Sequence, residues 1–133
     1  MRLRTKSAWS APPMPFKSDL IVKAVNGVAA WDLVRPLFYI TRDGRPVTVP
    51  AGTRTDLSSA PRVVWWLVPR DDELARRPAT VHDYIYTTLT NRFTKAEADR
   101  IFYDALLEEG MTTTLAWLMY TAVRIGGRGN WSA

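Results

Sequence analysis

Short, largely apolar runs of β-prone residues, separated by turn residues, make up the first part of the chain, which is the pattern of β-strands. An Asn-Gly pair at 26–27 and an Asp-Gly pair at 43–44 separate these runs, and both pairs tolerate the positive φ angles of a type I′ turn. The pattern predicts two β-hairpins that form a small meander over residues 19–50, with Pro46 on an edge strand. The four runs are residues 20–25, 28–34, 37–42 and 46–49.

Later in the chain the apolar positions follow the helical period. Pro78 suits a first helical turn, so a helix is predicted from there to about Thr90. Thr94 and Glu97 form a capping box that begins a second helix, and Gly110 ends it. The predicted apolar face of this second helix consists of Ala98, Ile101, Phe102, Ala105 and Leu106.

A third helix is predicted after Thr112 or Thr113, ending at a Gly-Gly pair at 126–127. Its predicted apolar face consists of Leu115, Leu118, Met119, Ala122 and Ile125. Strands first and helices afterwards indicate an α+β fold, and the length of 133 residues suits a single domain. We divide it into an irregular arm (1–18), β-hairpins (19–50), a loop with an apolar run (51–70) and helices (71–127).

Composition narrows the possible functions. The chain has no cysteine, which excludes disulfides and thiolate metal sites and is typical of a compartment that is not oxidising. Prolines at 12, 13 and 15 interrupt the basic N-terminal segment, so we expect no signal peptide. No stretch reaches the roughly 20 apolar residues of a membrane span, so any membrane contact is expected to be peripheral. The net charge of +5 comes from scattered cations without a concentrated stripe, which disfavours nucleic acid as a partner.

His82 is the only histidine, and this excludes the metal sites that need several imidazoles. It lies about eight residues before the break between the first two helices, and Asp99 lies about eight residues after it. In an antiparallel helix pair these residues reach the same height, so we expect a hydrogen bond between them. Tyr86, one helical turn after His82, is expected to donate to the same carboxylate.

Two interpretations of this pair stay open. A histidine beside carboxylates suits a general base next to a hard-cation site, with Asp83 as the candidate ligand of the cation. Alternatively, Asp99 satisfies a buried structural histidine and no chemistry takes place.

Four segments resemble the bacterial branch of the secretory phospholipases A₂. The segment 82–86 is similar to the histidine-aspartate helix of those enzymes, 98–106 to the helix whose aspartate pairs with the histidine, and 115–126 to the closing helix. Thr55-Asp56-Leu57 is similar to their calcium loop. The resemblance implies a three-helix phospholipase-A₂-like part with an antiparallel His/Asp helix pair.

The same resemblance implies a division of roles in a calcium-dependent esterase. His82 would activate water and Asp99 would orient its imidazole. The Asp56 and Asp83 carboxylates and the Leu57 carbonyl would bind Ca²⁺. The departures from the family are the missing disulfides and the missing glycine-rich calcium loop of the animal enzymes.

Most of the chain, including the run 49–62, also resembles an uncharacterised family of tailed phages and prophages. This resemblance implies synthesis in the host cytoplasm and possible association with the virion. It keeps two further functions open: a non-enzymatic virion or tail assembly protein with other virion proteins as partners, and a peptidoglycan-cleaving enzyme.

The apolar run 63–68 contains Trp65 and Trp66 between two arginines. Tryptophan favours the boundary between apolar tails and water, so this run is predicted to contact a phospholipid surface. The alternative is an ordinary core strand or helix.

Overall fold

The computed structural model describes residues 15–25, 30–55 and 73–126, and the structural statements below refer to these residues. Antiparallel strands are followed by three helices, which confirms the α+β prediction. The strands are β1 (Val22–Ala24), β2 (Trp31–Leu33), β3 (Leu37–Ile40), β4 (Pro46–Val49) and β5 (Arg54–Thr55). The helices are α1 (Glu73–Thr88), α2 (Lys95–Glu108) and α3 (Thr113–Gly126).

The strands form two sheets. β1 pairs with β2, and β5 pairs with the other edge of β2, while β3 and β4 form a separate two-stranded sheet. All these pairings are antiparallel, with Val22 opposite Leu33 in the first sheet and Leu37 opposite Val49 in the second. Both predicted hairpin pairings are therefore present, but the two hairpins do not join into one continuous meander, because β5 occupies the edge of β2 that β3 would need.

The turn between β3 and β4 follows from its Asp-Gly pair. Gly44 has a φ of 87°, a value that only glycine adopts without strain. The Thr41 N–H donates to the Arg45 carbonyl at 2.9 Å and closes the turn. The Asn-Gly pair predicted to connect β1 and β2 lies outside the described residues.

Part of the predicted irregular arm packs on the protein. Phe16 is buried against Tyr39, with ring centroids 4.6 Å apart. The Lys17 N–H donates to the Phe38 carbonyl at 2.9 Å, so this segment lies along the edge of β3. Residues 15–18 have no regular secondary structure beyond this isolated bridge to β3, and the buried ring of Phe16 orders them by packing in the core. Residues 1–14 lie outside the described part.

α1 begins five residues earlier than predicted, and Pro78 lies inside it. The preceding residues Glu73–Arg77 are mostly good helix formers, so the helix extends towards the N-terminus past the proline. A proline removes one helical hydrogen bond and leaves the later turns intact. The preference of proline for a first turn is a tendency that this stretch of residues overrides.

Both predicted ends of α2 are confirmed. The Thr94 side chain accepts from the Glu97 N–H while the Glu97 carboxylate accepts from the Thr94 N–H. At the other end Gly110 has a φ of 103°, and the N–H groups of Gly110 and Met111 donate to the carbonyls of Leu107 and Leu106. This is a Schellman ending, for which glycine is favoured.

The face of α3 differs from the prediction. Its buried residues are Ala116, Met119, Ala122 and Val123. Leu118 and Ile125, both predicted to face the core, are 41% and 73% exposed. α3 is apolar on most sides, so the sequence period alone does not determine which face is buried.

α1 and α2 pack as an antiparallel pair. Arg77, near the start of α1, forms an ion pair with Glu109 just after α2, at 2.5 Å. His82, further along α1, contacts Asp99 in the first half of α2. None of the described helices has the length and apolar character needed to cross a membrane.

Candidate active site

Asp99 lies at the centre of the candidate site. It is 0% exposed, and its oxygen Oδ1 lies 2.8 Å from Nε2 of His82. The Tyr86 hydroxyl donates to the same oxygen. His82 and Asp99 lie equally far along the sequence from the break between α1 and α2, and this spacing predicted their contact. The structure confirms this geometry. The catalytic roles of the three residues stay predictions.

The second oxygen of Asp99 binds two cations. Lys95 Nζ lies 2.8 Å and Arg124 Nη1 2.9 Å from Oδ2. Sequence reasoning missed both residues. The sequence spacing could have indicated Lys95, since it precedes Asp99 by four positions on one helix and such pairs interact. Arg124 had none, because it is 25 positions away and reaches Asp99 only through the packing of α3.

These contacts determine the charge of Asp99. Burial alone would raise its pKa, but the hydrogen bonds from His82, Lys95 and Tyr86 outweigh burial and lower the pKa from 3.8 to about 2. Asp99 is therefore ionised near neutral pH and can only accept hydrogen bonds.

The ionised carboxylate defines the tautomer of His82. Because Oδ1 can only accept, Nε2 of His82 must donate and therefore carries a proton. In the neutral imidazole the lone pair then lies on Nδ1. Within the described residues no hydrogen-bond partner contacts Nδ1. The lone pair of the neutral ring therefore lies on the nitrogen that does not contact Asp99.

Two aromatic rings hold the imidazole. The centroids of Tyr86 and Phe102 lie 4.2 Å and 4.9 Å from that of His82. The His82 side chain is 12% exposed. Burial and the contact with Asp99 raise the pKa of Tyr86, so its hydroxyl stays protonated and remains a donor. Phe102 was predicted only as a core residue, and its ring contact with His82 gives it a place in the site.

Only one of the three predicted calcium ligands, Asp83, lies among the described residues. Asp83 is half-buried on α1 beside His82. Asp56 and Leu57 lie outside the described residues, as do Trp65, Trp66 and the rest of the run 63–68. Among the residues that the structure describes, no cluster of three or more histidine, aspartate or glutamate side chains could hold a metal ion.

Comparison with known proteins identifies a family. The model of a protein family of unknown function, DUF1353, matches residues 31–123, which include β2, the whole helix pair and most of α3. No curated protein and no solved structure matches the chain significantly. Since the match covers well over half of the sequence, the chain belongs to the DUF1353 family.

Proposed function

We propose that this protein is a phage-encoded, calcium-dependent hydrolase similar to phospholipase A₂, in which His82 activates water to attack a phospholipid ester. The observation that carries the proposal is the His82–Asp99 contact, in which an ionised, fully buried carboxylate holds Nε2. The lone pair of the neutral ring then lies on Nδ1, and we propose this nitrogen as the base. A neutral imidazole held in this way can accept a proton at Nδ1, which is the property that a general base needs.

The reaction needs no covalent intermediate. Nδ1 of His82 takes a proton from water while the water oxygen forms a bond to the ester carbonyl carbon. The tetrahedral intermediate then breaks its bond to the alcohol oxygen, and that oxygen takes the proton back from Nδ1. The products are a fatty acid and a lysophospholipid. Asp99 stabilises the imidazolium that exists between the two proton transfers.

Calcium is the proposed cofactor. The donors would be the carboxylates of Asp83 and Asp56 and the carbonyl of Leu57, all oxygen ligands of the kind that Ca²⁺ prefers. Asp83 directly follows His82 on α1, so a cation held there would lie beside the base. Bound calcium would supply polarisation of the ester carbonyl and stabilisation of its developing negative charge.

The proposed substrate surface is an anionic phospholipid membrane, contacted peripherally. The net charge of +5 favours an anionic surface. Trp65 and Trp66 are the proposed contact residues, because tryptophan is enriched at such boundaries.

A second candidate is a non-enzymatic component of the phage particle. The observation that favours it is that Asp99 joins all three helices, since it binds His82 and Tyr86 of α1 and Arg124 of α3. A carboxylate with four donors can serve stability alone. In that case partner proteins of the virion, and no lipid, would bind the chain.

Hydrolysis of vesicles separates the two candidates. The protein should release fatty acid from phosphatidylglycerol vesicles in the presence of calcium, and a chelator should stop the release. His82→Gln should lower the rate by about 10²–10⁴ while the fold persists, because a general base contributes that much. Arg92→Gln, at an exposed position between α1 and α2, is the control and should keep full activity. Absence of release from every lipid tested would support the assembly protein instead.

Calcium binding has its own test. Millimolar calcium should raise the melting temperature and magnesium should raise it much less, because a ligand that binds only the folded state stabilises it. Asp83→Asn should remove the calcium effect, whereas Asp104→Asn, a carboxylate on α2, should keep it. An unchanged melting curve of the wild-type protein in calcium contradicts the proposed site.

A further inference from the structure

Each oxygen of Asp99 has a different set of partners. Oδ1 accepts from His82 and Tyr86, whereas Oδ2 accepts from the ammonium of Lys95 and the guanidinium of Arg124. The two aromatic side chains thus donate to one oxygen of the carboxylate and the lysine and arginine donate to the other. This separation distinguishes Asp99 from a carboxylate that simply neutralises one nearby charge.

Lys95 also connects the carboxylate to the end of α3. Its ammonium lies 3.4 Å from the carbonyl oxygens of Val123 and Arg124. The carbonyls at a helix C-terminus lack helical partners and carry partial negative charge, so a cation there is favourable. The same lysine therefore holds Asp99 and the last turn of α3 in one arrangement.

We propose that Lys95 and Arg124 are positioning residues that hold Oδ2, so that Oδ1 faces Nε2 of His82 and the imidazole keeps its lone pair on Nδ1. The catalytic consequence rests on the proposed function, whereas the tautomer is a property of the folded protein with or without activity. Neither residue is expected to touch the substrate.

The physical reason lies in what a buried carboxylate does without cations. An unpaired negative charge is unfavourable in the low-dielectric interior of a protein, so without its cations Asp99 would tend to take up a proton. A protonated carboxyl can donate to Nε2, and the imidazole proton would then lie on Nδ1. A histidine in that tautomer cannot accept a proton from water at Nδ1. Two cations on Oδ2 oppose this reversal.

The single histidine makes the tautomer directly measurable. Nitrogen-15 NMR of the histidine-labelled protein reports the ring nitrogens of His82 alone, since the sequence has no other histidine. The spectrum is recorded with a chelator over a series of pH values, and the tautomer is read where the nitrogen shifts show that the ring is neutral. The wild-type protein should show a protonated Nε2 and an unprotonated Nδ1.

The variants are Lys95→Met, Arg124→Met and the double substitution. We expect the Nε2-protonated fraction to fall in each and most in the double variant, and Lys95→Arg to restore it in large part. The matched control is Arg100→Met, because Arg100 also precedes an aspartate on α2 by four positions but binds Asp104. This control should leave the His82 spectrum unchanged.

Activity provides the second readout. In the single variants kcat for vesicle hydrolysis should fall by about 10–100-fold with little change in KM, the usual size of an effect exerted through a partner of a reactive group. Arg124 is partly exposed, so Arg124→Met also provides a variant that is expected to fold if the double variant does not.

The outcomes are distinct. An unchanged tautomer in folded Lys95→Met and Arg124→Met overturns the positioning role, whatever the activity. If the variants change the tautomer but the wild-type protein hydrolyses no ester, the positioning role is supported and the proposed function is contradicted. A loss of activity through KM alone, with the tautomer unchanged, would instead mean that the cations bind substrate and would overturn the inference.

Discussion

Two aspartates on α2 have matched local sequence but different surroundings. Asp99 follows Lys95 by four positions, and Asp104 follows Arg100 by four positions, so each has a basic neighbour one turn before it. Asp99 is 0% exposed and its closest cations lie at 2.8 Å and 2.9 Å. Asp104 is also buried, at 7% exposure, but it binds Arg100 at 3.1 Å and approaches Arg42 at 3.8 Å, and these two cations are 63% and 53% exposed.

The difference shows how the exposure of the partner cations changes the result of one sequence pattern, since Lys95 and Arg124 are 19% and 38% exposed. Ion pairs with an exposed partner are screened by water and contribute little to stability. A buried carboxylate without its donors is costly, so its partners are needed to keep it charged. The same spacing therefore produces an ion pair with an exposed cation at Asp104 and, at Asp99, the centre of a polar cluster that joins three helices.

The largest expected effect comes from removing the charge of each aspartate. Asp99→Asn should lower the free energy of unfolding by about 3 kcal/mol, because Lys95 and Arg124 lose the anion they face. Asp104→Asn should cost less than about 1 kcal/mol. Urea unfolding of the two variants measures both values, and equal losses would contradict the distinction between the sites.

Acid should reveal Asp99 through the pH dependence of stability. Its pKa is lowered from 3.8 to about 2 in the folded protein, so its contribution is fully present above about pH 4 and is lost as the pH falls towards 2. That shift corresponds to about 2 kcal/mol. Urea unfolding between pH 5 and pH 2 should show this loss in the wild-type protein and a smaller one in Asp99→Asn. If the free energy of unfolding fell equally with pH in both proteins, Asp99 would not be held ionised in the folded state.

Tyr86→Phe removes one of the four donors to Asp99 and leaves the cations in place. We expect it to cost about 1.5 kcal/mol, the usual contribution of a hydrogen bond to a charged group. Thr87→Val, an exposed position next along α1, is the control and should cost much less. Thermal unfolding measures the stability of both variants. If Tyr86→Phe cost no more stability than Thr87→Val, the Tyr86 hydroxyl would contribute little to the stability of the cluster.

The smallest effect concerns the Arg100–Asp104 ion pair. A double-mutant cycle on Arg100→Met and Asp104→Asn should give a coupling of about 0.3–0.5 kcal/mol, as for other helical pairs at this spacing. The corresponding cycle on Lys95→Met and Asp99→Asn should give a clearly larger value. Similar couplings in the two cycles would remove the contrast between the aspartates.

Several features were determined by local sequence. Thr94 and Glu97 begin α2 and Gly110 ends it, because capping and positive φ depend only on residues a few positions apart. The His82–Asp99 contact also followed from the sequence, since two helices joined by a short break leave little choice of which residues face each other.

Other features depended on tertiary packing. α3 is apolar on several sides, so only its docking decided that Ala116 and Val123 are buried while Ile125 is exposed. The same docking brought Arg124 to Asp99, and the pairing of β5 with β2 divided the strands into two sheets. These contacts join residues about 20 or more positions apart, and hydrophobic periodicity and caps report only on neighbours within about one or two turns. The sequence by itself therefore determined the ends of α2 and the His82–Asp99 pair, whereas the tertiary structure decided which cations complete the site.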